Sequence, residues 1–458
     1  MKIISANKTE AIGFFDEIKV NKSTKAVIMA GGQGTRLQGV NKDIPKAMFP
    51  ICGKPIIVYQ LENLKKCGIT DVIIIVGHLG DVIKDAIGDG SSYDVKVSYI
   101  IEESPLGTGG ALAYLRNKIV EDFFLVFGDL VLDIDWDRFM TFHKNHHSVL
   151  TLFGHPSSHP FDSDLIDVDE NGRVRKILSK KEKRDFYYHN LCNAGIYCVS
   201  KDVIDRLDAT YPVRLDFDKD IMIPMIHKHE VFVYQSSEYV RDMGTPDRLK
   251  SVENDVRNKL IEKRSLCNPQ KAIFLDRDGT INKLNGFISN PIDFELLDGV
   301  TNAIRSINKS GYLAIVITNQ PVIARGECTV EGLDEIHKKM ETLLGLKGAF
   351  LDAIYYCPHH PDKGFKGEVA ELKMNCDCRK PKTGMIDRAV KRFNIDLDDS
   401  WFVGDSTMDV QTGINAGIKN ILLYTGEGGK DGKYEAKADY EADSLLEAVN
   451  LVTESWKK

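Results

Sequence analysis

The chain of 458 residues has no uninterrupted apolar run of the ~18 residues that a membrane-spanning helix needs, so no transmembrane helix is expected. It also lacks an excess of positive charge. Sixty Lys+Arg stand against 67 Asp+Glu, a net −7, which argues against a protein that binds a nucleic-acid backbone. The opening MKIISANKTEAIGFFDEIKV has no long apolar core and carries acids, so it reads poorly as a signal peptide. Nine cysteines are too sparse for a disulfide scaffold of this length. Cys52, Cys67, Cys192, Cys198, Cys267 and Cys328 lie scattered in or beside apolar sequence and are expected as buried free thiols. A reducing cytoplasm fits this usage. The balance of 43% hydrophobic and 28% charged residues is that of a folded globular chain, and the length implies two or three domains.

Two strand-and-helix series run along the chain. KAVIMA (25–30), DVIIIV (71–76), VKVSYII (95–101) and FFLVF (123–127) are continuous apolar runs, with helical stretches such as IVYQLENLKKCG between them. Such alternation predicts a mostly parallel sheet covered on both faces. The series restarts with KAIFLD (271–276), LAIVIT (313–318), SWFVGD (400–405) and KNILLY (419–424), separated by helices such as VEGLDEIHKKMETLLG. Between them, TPDRLKSVENDVRNKLIEKRSLCNPQ is charged and helix-prone. The expected division is an extension at 1–24, a first α/β domain at 25–254, a linker at 255–269 and a second α/β domain at 270–458. The halves share no long repeat, so they are two different domains, not a duplication.

The first strand runs into Ala30-Gly31-Gly32-Gln33-Gly34-Thr35-Arg36-Leu37. Glycines there let backbone N–H groups approach phosphates, and Arg36 adds charge. Lys46 follows in Ile44-Pro45-Lys46-Ala47-Met48, then Ser104-Pro105-Leu106-Gly107-Thr108-Gly109-Gly110, then Asp129 after Phe127-Gly128. This ordered set resembles the sugar-phosphate nucleotidyltransferases over about 25–250, and most of all the D-glycero-α-D-manno-heptose 1-phosphate guanylyltransferases. The resemblance implies a Rossmann-like sheet on which a sugar 1-phosphate oxygen attacks the α-phosphorus of a nucleoside triphosphate. Gly31, Gly32, Gly34, Thr35 and Arg36 would hold the triphosphate, with Gly107 and Thr108 also at the substrate. Lys46 would sit on the phosphates, and Asp129 with Asp242, before Gly244-Thr245, would hold Mg²⁺. Lys180, Asn193 and Gly195 match the sugar side, although the acidic residue the family often has before that lysine is missing. Glu102 stands where pyrimidine-specific relatives often carry Gln. A carboxylate accepts from both guanine donors, so the expected nucleotide is GTP.

The second series opens with Asp276-Arg277-Asp278-Gly279-Thr280 at a strand end. Two carboxylates at i and i+2 after a buried strand can point into one site. Thr318-Asn319-Gln320, Arg379-Lys380-Pro381 and Gly404-Asp405-Ser406 follow in order, with Asp409 a turn later. The set resembles the haloacid dehalogenase-type phosphatases. That implies Asp276 as nucleophile, Asp278 as acid and base, Thr318 on the phosphoryl group and Lys380 as the balancing charge. Mg²⁺ would be held by Asp276, the Asp278 carbonyl and Asp405, with Asp409 expected behind them or capping a helix.

Cys357-Pro358-His359 and Cys376-Asp377-Cys378 form two close ligand pairs, a tetrahedral zinc set. The polar stretch between them has little core of its own, so zinc would be structural. With this loop the resemblance narrows to heptose 1,7-bisphosphate phosphatases, and also histidinol phosphatases, over about 270–450. Leu284, Asn285, Gly286 and Phe287 occupy the family's substrate loop, with Asn319, Gln320 and Arg379 also contacting substrate. Pro321-Val322 replaces the family's Ser-Gly.

Together the resemblances imply a bifunctional cytoplasmic enzyme that makes an NDP-heptose for surface glycan. It would cleave the 7-phosphate of heptose 1,7-bisphosphate and transfer GMP to the heptose 1-phosphate. Two other readings stay open: the same chemistries on another sugar or nucleotide, and a histidinol-phosphatase-like enzyme with a regulatory nucleotide-binding domain. Small molecules are the expected partners, with no nucleic acid or membrane; a homo-oligomer stays open.

Overall fold

Lys25–Met29, an apolar run, forms the central parallel strand of the first sheet, with Asp71–Val76 on one side and Phe123–Phe127 on the other. The structure, a computed structural model, describes residues 19–20, 23–32, 43–207 and 213–454. Lys96–Ile101 extends the sheet in parallel beyond Asp71–Val76. Past Phe123–Phe127 the sheet turns antiparallel. Cys192–Val199 pairs with Phe123–Phe127, Leu150–His155 and Leu165–Val168, and Val174–Leu178 closes that edge. The nine-stranded sheet is therefore mixed, not mostly parallel. The reason lies in the connections, because tight turns such as Asp169–Arg173 join neighbouring strands without a crossover helix.

The second sheet has six strands, all parallel, in the order 353–357, 312–319, 271–275, 401–404, 419–423, 440–442. The earliest strand is central and the chain winds outward on both sides of it. That arrangement leaves a crevice at the carboxyl ends of Lys271–Leu275 and its neighbours. In the first sheet a similar crevice opens between Lys25–Met29 and Phe123–Phe127. Each crevice carries one of the sequence motifs.

Helices cover the sheets through apolar stripes. Val330–Gly345 starts at Thr329, whose side chain accepts from the Gly332 N–H, and buries Leu333, Ile336, Met340 and Leu344 at helical spacing. Pro246–Arg257 and Leu260–Lys263 form the charged helical connection. No described helix is long and apolar enough to cross a membrane.

The two sheets meet across a polar seam. Buried Arg264 bonds buried Asp352 at 2.6 Å, and removing one member of such a pair costs about 3–5 kcal/mol. The Ser265 hydroxyl donates to Asp133 at 2.9 Å and the Leu266 N–H to Glu238 at 3.1 Å. His189 lies between Asp334 and Glu341 of the helix Val330–Gly345, at 2.9 and 2.5 Å. The thiols differ from expectation. Cys192 and Cys198 are buried, Cys67 and Cys328 are half-buried, and Cys52 and Cys267 are exposed. The last two sit in connections that no sheet face covers.

Candidate active sites

The first crevice holds a cavity of about 660 Å³, lined among others by Gly31, Gly32, Lys46, Glu102, Gly107, Thr108, Asp129 and Arg214. That volume is in the range of small-ligand sites. Gly34, Thr35 and Arg36 lie outside the described residues. Gln60 fixes the turn that carries Asp129, donating through Nε2 to the Phe127 and Leu130 carbonyls at 2.9 and 2.8 Å. Lys46 Nζ reaches Asp129 at 3.2 Å, with about a quarter of each side chain still exposed to the cavity. The pair thus places opposite charges at the cavity wall. A Cβ on Gly31 would meet the Glu102 carboxylate, so a side chain there would displace the acid from the loop. Glu102 accepts from the Leu106 N–H at 3.3 Å, and burial pushes its carboxyl upward. Gly107 has φ +76°, and a side chain there would also strike the Leu215 carbonyl. The Thr108 hydroxyl accepts from the Phe217 N–H at 2.9 Å.

Asp242 is opposite Leu130 in the antiparallel pair Tyr239–Asp242 with Leu130–Asp133, next to Asp129. The Met243 N–H donates to the Asp129 carbonyl at 3.1 Å. Both Asp242 oxygens are taken by Arg248 Nη1, at 2.6 and 2.8 Å, so metal binding there competes with an arginine the sequence reading did not foresee. Lys180 is exposed, outside the residues lining the cavity, with its N–H on Asp164 at 2.8 Å. Its charge acts on Asp218, which burial beside Asp216 and Asp164 raises to about 6. Asn193 and Gly195 form an irregular step in their strand: Asn193 Oδ1 accepts from the Gly195 N–H, and Gly195 has φ +75° against Phe127.

The second crevice is tighter. Lys380 Nζ bridges Asp276 at 2.7 Å and Asp409 at 2.6 Å, all buried. Asp276, Asp405 and Asp409 present carboxylate oxygens within 4.8 Å of one another, a hard-oxygen set suited to a divalent cation. Burial raises Asp276 to about 7, against the pull of Lys380, and Asp405 to about 8. Three acids around one lysine leave a surplus of negative charge once all are ionised, which a cation would balance. Asp409 caps its helix as expected, bonding Ser406 in a capping box, yet it also faces this cluster. A Cβ on Gly279 would overlap Asp405, so this turn too needs glycine.

Asp278 turns away from the cluster. Arg277 Nη2 holds both its oxygens at 2.8 and 2.9 Å, Asn282 Nδ2 donates at 3.0 Å and Gln320 Nε2 at 2.8 Å. Although burial opposes ionisation, Arg277 and these donors keep its carboxyl below the usual range. Gln320 also donates to buried Thr318 at 2.9 Å. Asn319 trades hydrogen bonds with the Lys380 backbone, which ties the strand Tyr312–Asn319 to the lysine. The DRD spacing placed both acids at a strand end; the adjacent Arg277–Asp278 clamp depends on loop geometry that no spacing reveals. Leu284, Asn285, Gly286 and Phe287 form an exposed loop beside this crevice.

Cys357, His359, Cys376 and Cys378 converge, with sulfur–sulfur and sulfur–nitrogen distances of 3.3–3.7 Å. Three thiols and an imidazole at that separation suit a tetrahedral metal. Cys357 ends the strand Ala353–Cys357, which the sequence reading missed. Arg379 donates to the His359 carbonyl at 3.1 Å, so the thiol cluster anchors the segment that carries Lys380.

Two phosphate-handling crevices on separate α/β sheets define a chain of two enzymes, a nucleotidyltransferase and an aspartate-based phosphatase. Residues 25–259, just over half the chain, match the family model for nucleotidyl transferases, and 377–448 match that for HAD-hydrolase-like proteins. The D-glycero-β-D-manno-heptose-1,7-bisphosphate 7-phosphatase of Haemophilus influenzae is 43% identical over 183 residues, covering 40% of this chain and 96% of that protein. The protein of the same name from Escherichia coli K12 is 38% identical over 188 residues, covering 41% and 94%. The solved structure of HddC from Yersinia pseudotuberculosis is 28% identical and covers 51% of this chain and 99% of its own, with a TM-score of 0.45. The chain belongs to the nucleotidyl transferase family in its N-terminal half and to the heptose-1,7-bisphosphate 7-phosphatases in its C-terminal part.

Proposed function

We propose that the chain makes an NDP-heptose in two steps. The C-terminal enzyme removes the 7-phosphate of D-glycero-D-manno-heptose 1,7-bisphosphate. The N-terminal enzyme then transfers GMP from GTP to the heptose 1-phosphate, releasing pyrophosphate. The observation that carries this reading is the Asp276–Lys380–Asp405–Asp409 cluster on a chain that covers nearly all of a 7-phosphatase. The product of that enzyme is the sugar 1-phosphate a nucleotidyltransferase consumes. We place the division between the two at 255–269, after an extension at 1–24, and the enzyme in the cytoplasm.

In the phosphatase, an Asp276 oxygen attacks phosphorus and the bond to O7 breaks, leaving an aspartyl phosphate. Lys380, already on Asp276, neutralises charge that builds on the phosphoryl oxygens. Thr318 and the Asn319-to-Lys380 tie hold that group in line. Asp278 starts ionised against Arg277. It takes up a proton from solvent as it turns toward the substrate, gives it to O7, and later regains one from the water that cleaves the acyl phosphate. Asp276, Asp405 and Asp409, with the Asp278 carbonyl, would hold Mg²⁺, which when bound neutralises phosphoryl charge. Cys357, His359, Cys376 and Cys378 would hold Zn²⁺ and fold their loop.

In the transferase no protein group is alkylated or phosphorylated. The chain positions the sugar phosphate and neutralises charge through Arg36 and Lys46, with Asp129 and Asp242 as the carboxylates for Mg²⁺. Glu102 pairs with the two donors of guanine. Asn193, Gly195 and Lys180 face the sugar.

The test supplies each anomer of heptose 1,7-bisphosphate with Mg²⁺ and one nucleotide at a time, and quantifies phosphate and pyrophosphate separately. Both products, with pyrophosphate greatest for GTP, are expected. Phosphate without pyrophosphate for any nucleotide would sink the transferase half, and neither product would sink the heptose assignment.

A further inference from the structure

Two thiols meet where the halves join. Cys67 ends the helix Ile56–Lys66 of the first half, and Cys267 lies in the connection that leads into the second. One carboxylate gathers both segments. Lys66 Nζ reaches Asp133 at 3.3 Å and the Ser265 hydroxyl donates to it at 2.9 Å, so the residue before Cys67 and the residue two before Cys267 share a partner. The two sulfurs hydrogen-bond each other. Both are free thiols, Cys67 half-buried and Cys267 exposed.

Each thiol is anchored to a different half. The Cys67 thiol donates to the Ile134 carbonyl at 3.8 Å, and its helix fixes the Asp129 turn through Gln60. On the other side, the Leu266 carbonyl accepts from Asn394 Nδ2 at 3.1 Å and the Gln270 N–H donates to the Asn394 carbonyl at 2.8 Å. Asn394 ends the helix Gly384–Phe393 of the second half. The pair is also chemically unequal. The bond from Cys67 brings the Cys267 thiol down to about 7, with Ser265 and the Lys66 charge helping against burial. Cys67 is pushed upward, first by that same bond and then by burial. An accessible thiolate touching a second, protonated thiol is the arrangement that exchanges with disulfides. Neither sulfur belongs to the transferase cavity or to the Cys357–Cys378 cluster.

We infer that Cys67 and Cys267 are a reversible oxidation site, whose disulfide fastens the transferase to the phosphatase when small-molecule disulfides accumulate. The Cys267 thiolate attacks one sulfur of a disulfide RSSR. That S–S bond breaks, and RS⁻ leaves and takes a proton from solvent. Cys67 then gives its proton to solvent and attacks the Cys267 sulfur of the mixed disulfide. A second RS⁻ leaves and is protonated in turn. Two protein thiols lose two electrons, and RSSR is reduced to two RSH.

The experiment treats the full chain, with its metals bound, with glutathione disulfide and maps the products by mass spectrometry of a non-reducing digest. The wild type should lose two thiols and yield a Cys67–Cys267 linked peptide, reversed by dithiothreitol. Cys67→Ser should stop at one glutathione on Cys267. In Cys267→Ser the reaction at Cys67 should slow about tenfold or more, because the thiolate is gone. Glutathione retained on wild-type Cys267 without a link to Cys67 would overturn the inference. So would oxidation of Cys52, Cys328 or the Cys357–Cys378 cluster while the pair stays reduced. The oxidised wild type should also melt at a higher temperature than the reduced chain, since the link closes a loop across most of the transferase. No shift is expected in the double variant Cys67→Ser, Cys267→Ser. A linked chain that melts no higher than the reduced one would refute the fastening.

Discussion

The two crevices solve different problems with similar sheets. In the phosphatase, Asp276, Lys380 and Asp409 are buried and bonded to one another, with buried Asp405 beside them. In the transferase, Lys46 and Asp129 make one contact and face an open cavity. A protein nucleophile must be held within bonding distance of phosphorus and shielded from water, which demands a packed, over-determined cluster. A site that only brings two substrates together needs space and charge. On the proposed roles, burial of the catalytic groups separates covalent from positional catalysis on a common architecture.

Replacing Asp276, the proposed nucleophile, tests this most severely. Asp276→Asn should abolish phosphate release by about four orders of magnitude while pyrophosphate release from supplied heptose 1-phosphate continues. Asp129→Asn should do the reverse. Loss of both activities in either variant would show that the crevices are not independent. Lys380→Ala comes next. It should lower phosphatase kcat by about two to three orders of magnitude and leave Asp276 and Asp409 facing each other unpaired. Their repulsion predicts raised affinity for a divalent cation without a restored rate; full recovery of rate at high Mg²⁺ would show that the lysine only screens charge.

Removing the thiol-bound metal should give an intermediate effect confined to one half. Chelation, or Cys378→Ser, should unfold the 357–378 loop, release Arg379 from the His359 carbonyl, and cut phosphatase activity about tenfold or more. Pyrophosphate release should persist. Equal loss in both halves would mean that the loop supports the whole chain.

How far the sequence reading reached follows the same division. Lys271–Leu275 and Tyr312–Asn319 were legible because continuous apolar runs have few other places to go, and their motifs sit at strand ends where a parallel sheet opens. The antiparallel half of the first sheet was not, since Leu165–Val168 and Val174–Leu178 are short and partly polar. Ala353–Cys357 was read only for its cysteine. The side-chain partners were hidden for another reason. Arg277 on Asp278, Arg248 on Asp242 and Asp409 beside Asp276 depend on how loops return in space, and residue spacing does not encode that.

A smaller effect concerns the base. Glu102 lies against Gly31 at the wall of the transferase cavity. Glu102→Gln should lower the GTP-to-UTP ratio of kcat/KM by about tenfold, because an amide offers one acceptor where the carboxylate offers two. An unchanged ratio would leave the acid a role in loop geometry alone.

The smallest expected effect lies at the joint between the halves. His189 faces Asp334 and Glu341, with Lys338 sharing Asp334 at 3.1 Å. Although burial lowers it, the two carboxylates raise His189 to about 9. A cationic group whose pKa is raised on folding contributes stability that is complete below its unfolded value of about 6.5 and is lost as pH rises through about 9. His189→Gln should therefore cost about 1–3 kcal/mol at pH 6 and little at pH 10. Thermal melting at the two pH values reads the difference. The joint also decides whether the locked and open sites melt together, because the same helix carries buried His337, 3.4 Å from Arg277 and hence one step from Asp278. A melting gap that is the same at pH 6 and pH 10 would make His189 a packing residue. A gap that closes at high pH, with phosphatase and transferase activities lost at separate temperatures in the variant but together in the wild type, would make its charge the tie that holds two catalytic strategies in one cooperative unit.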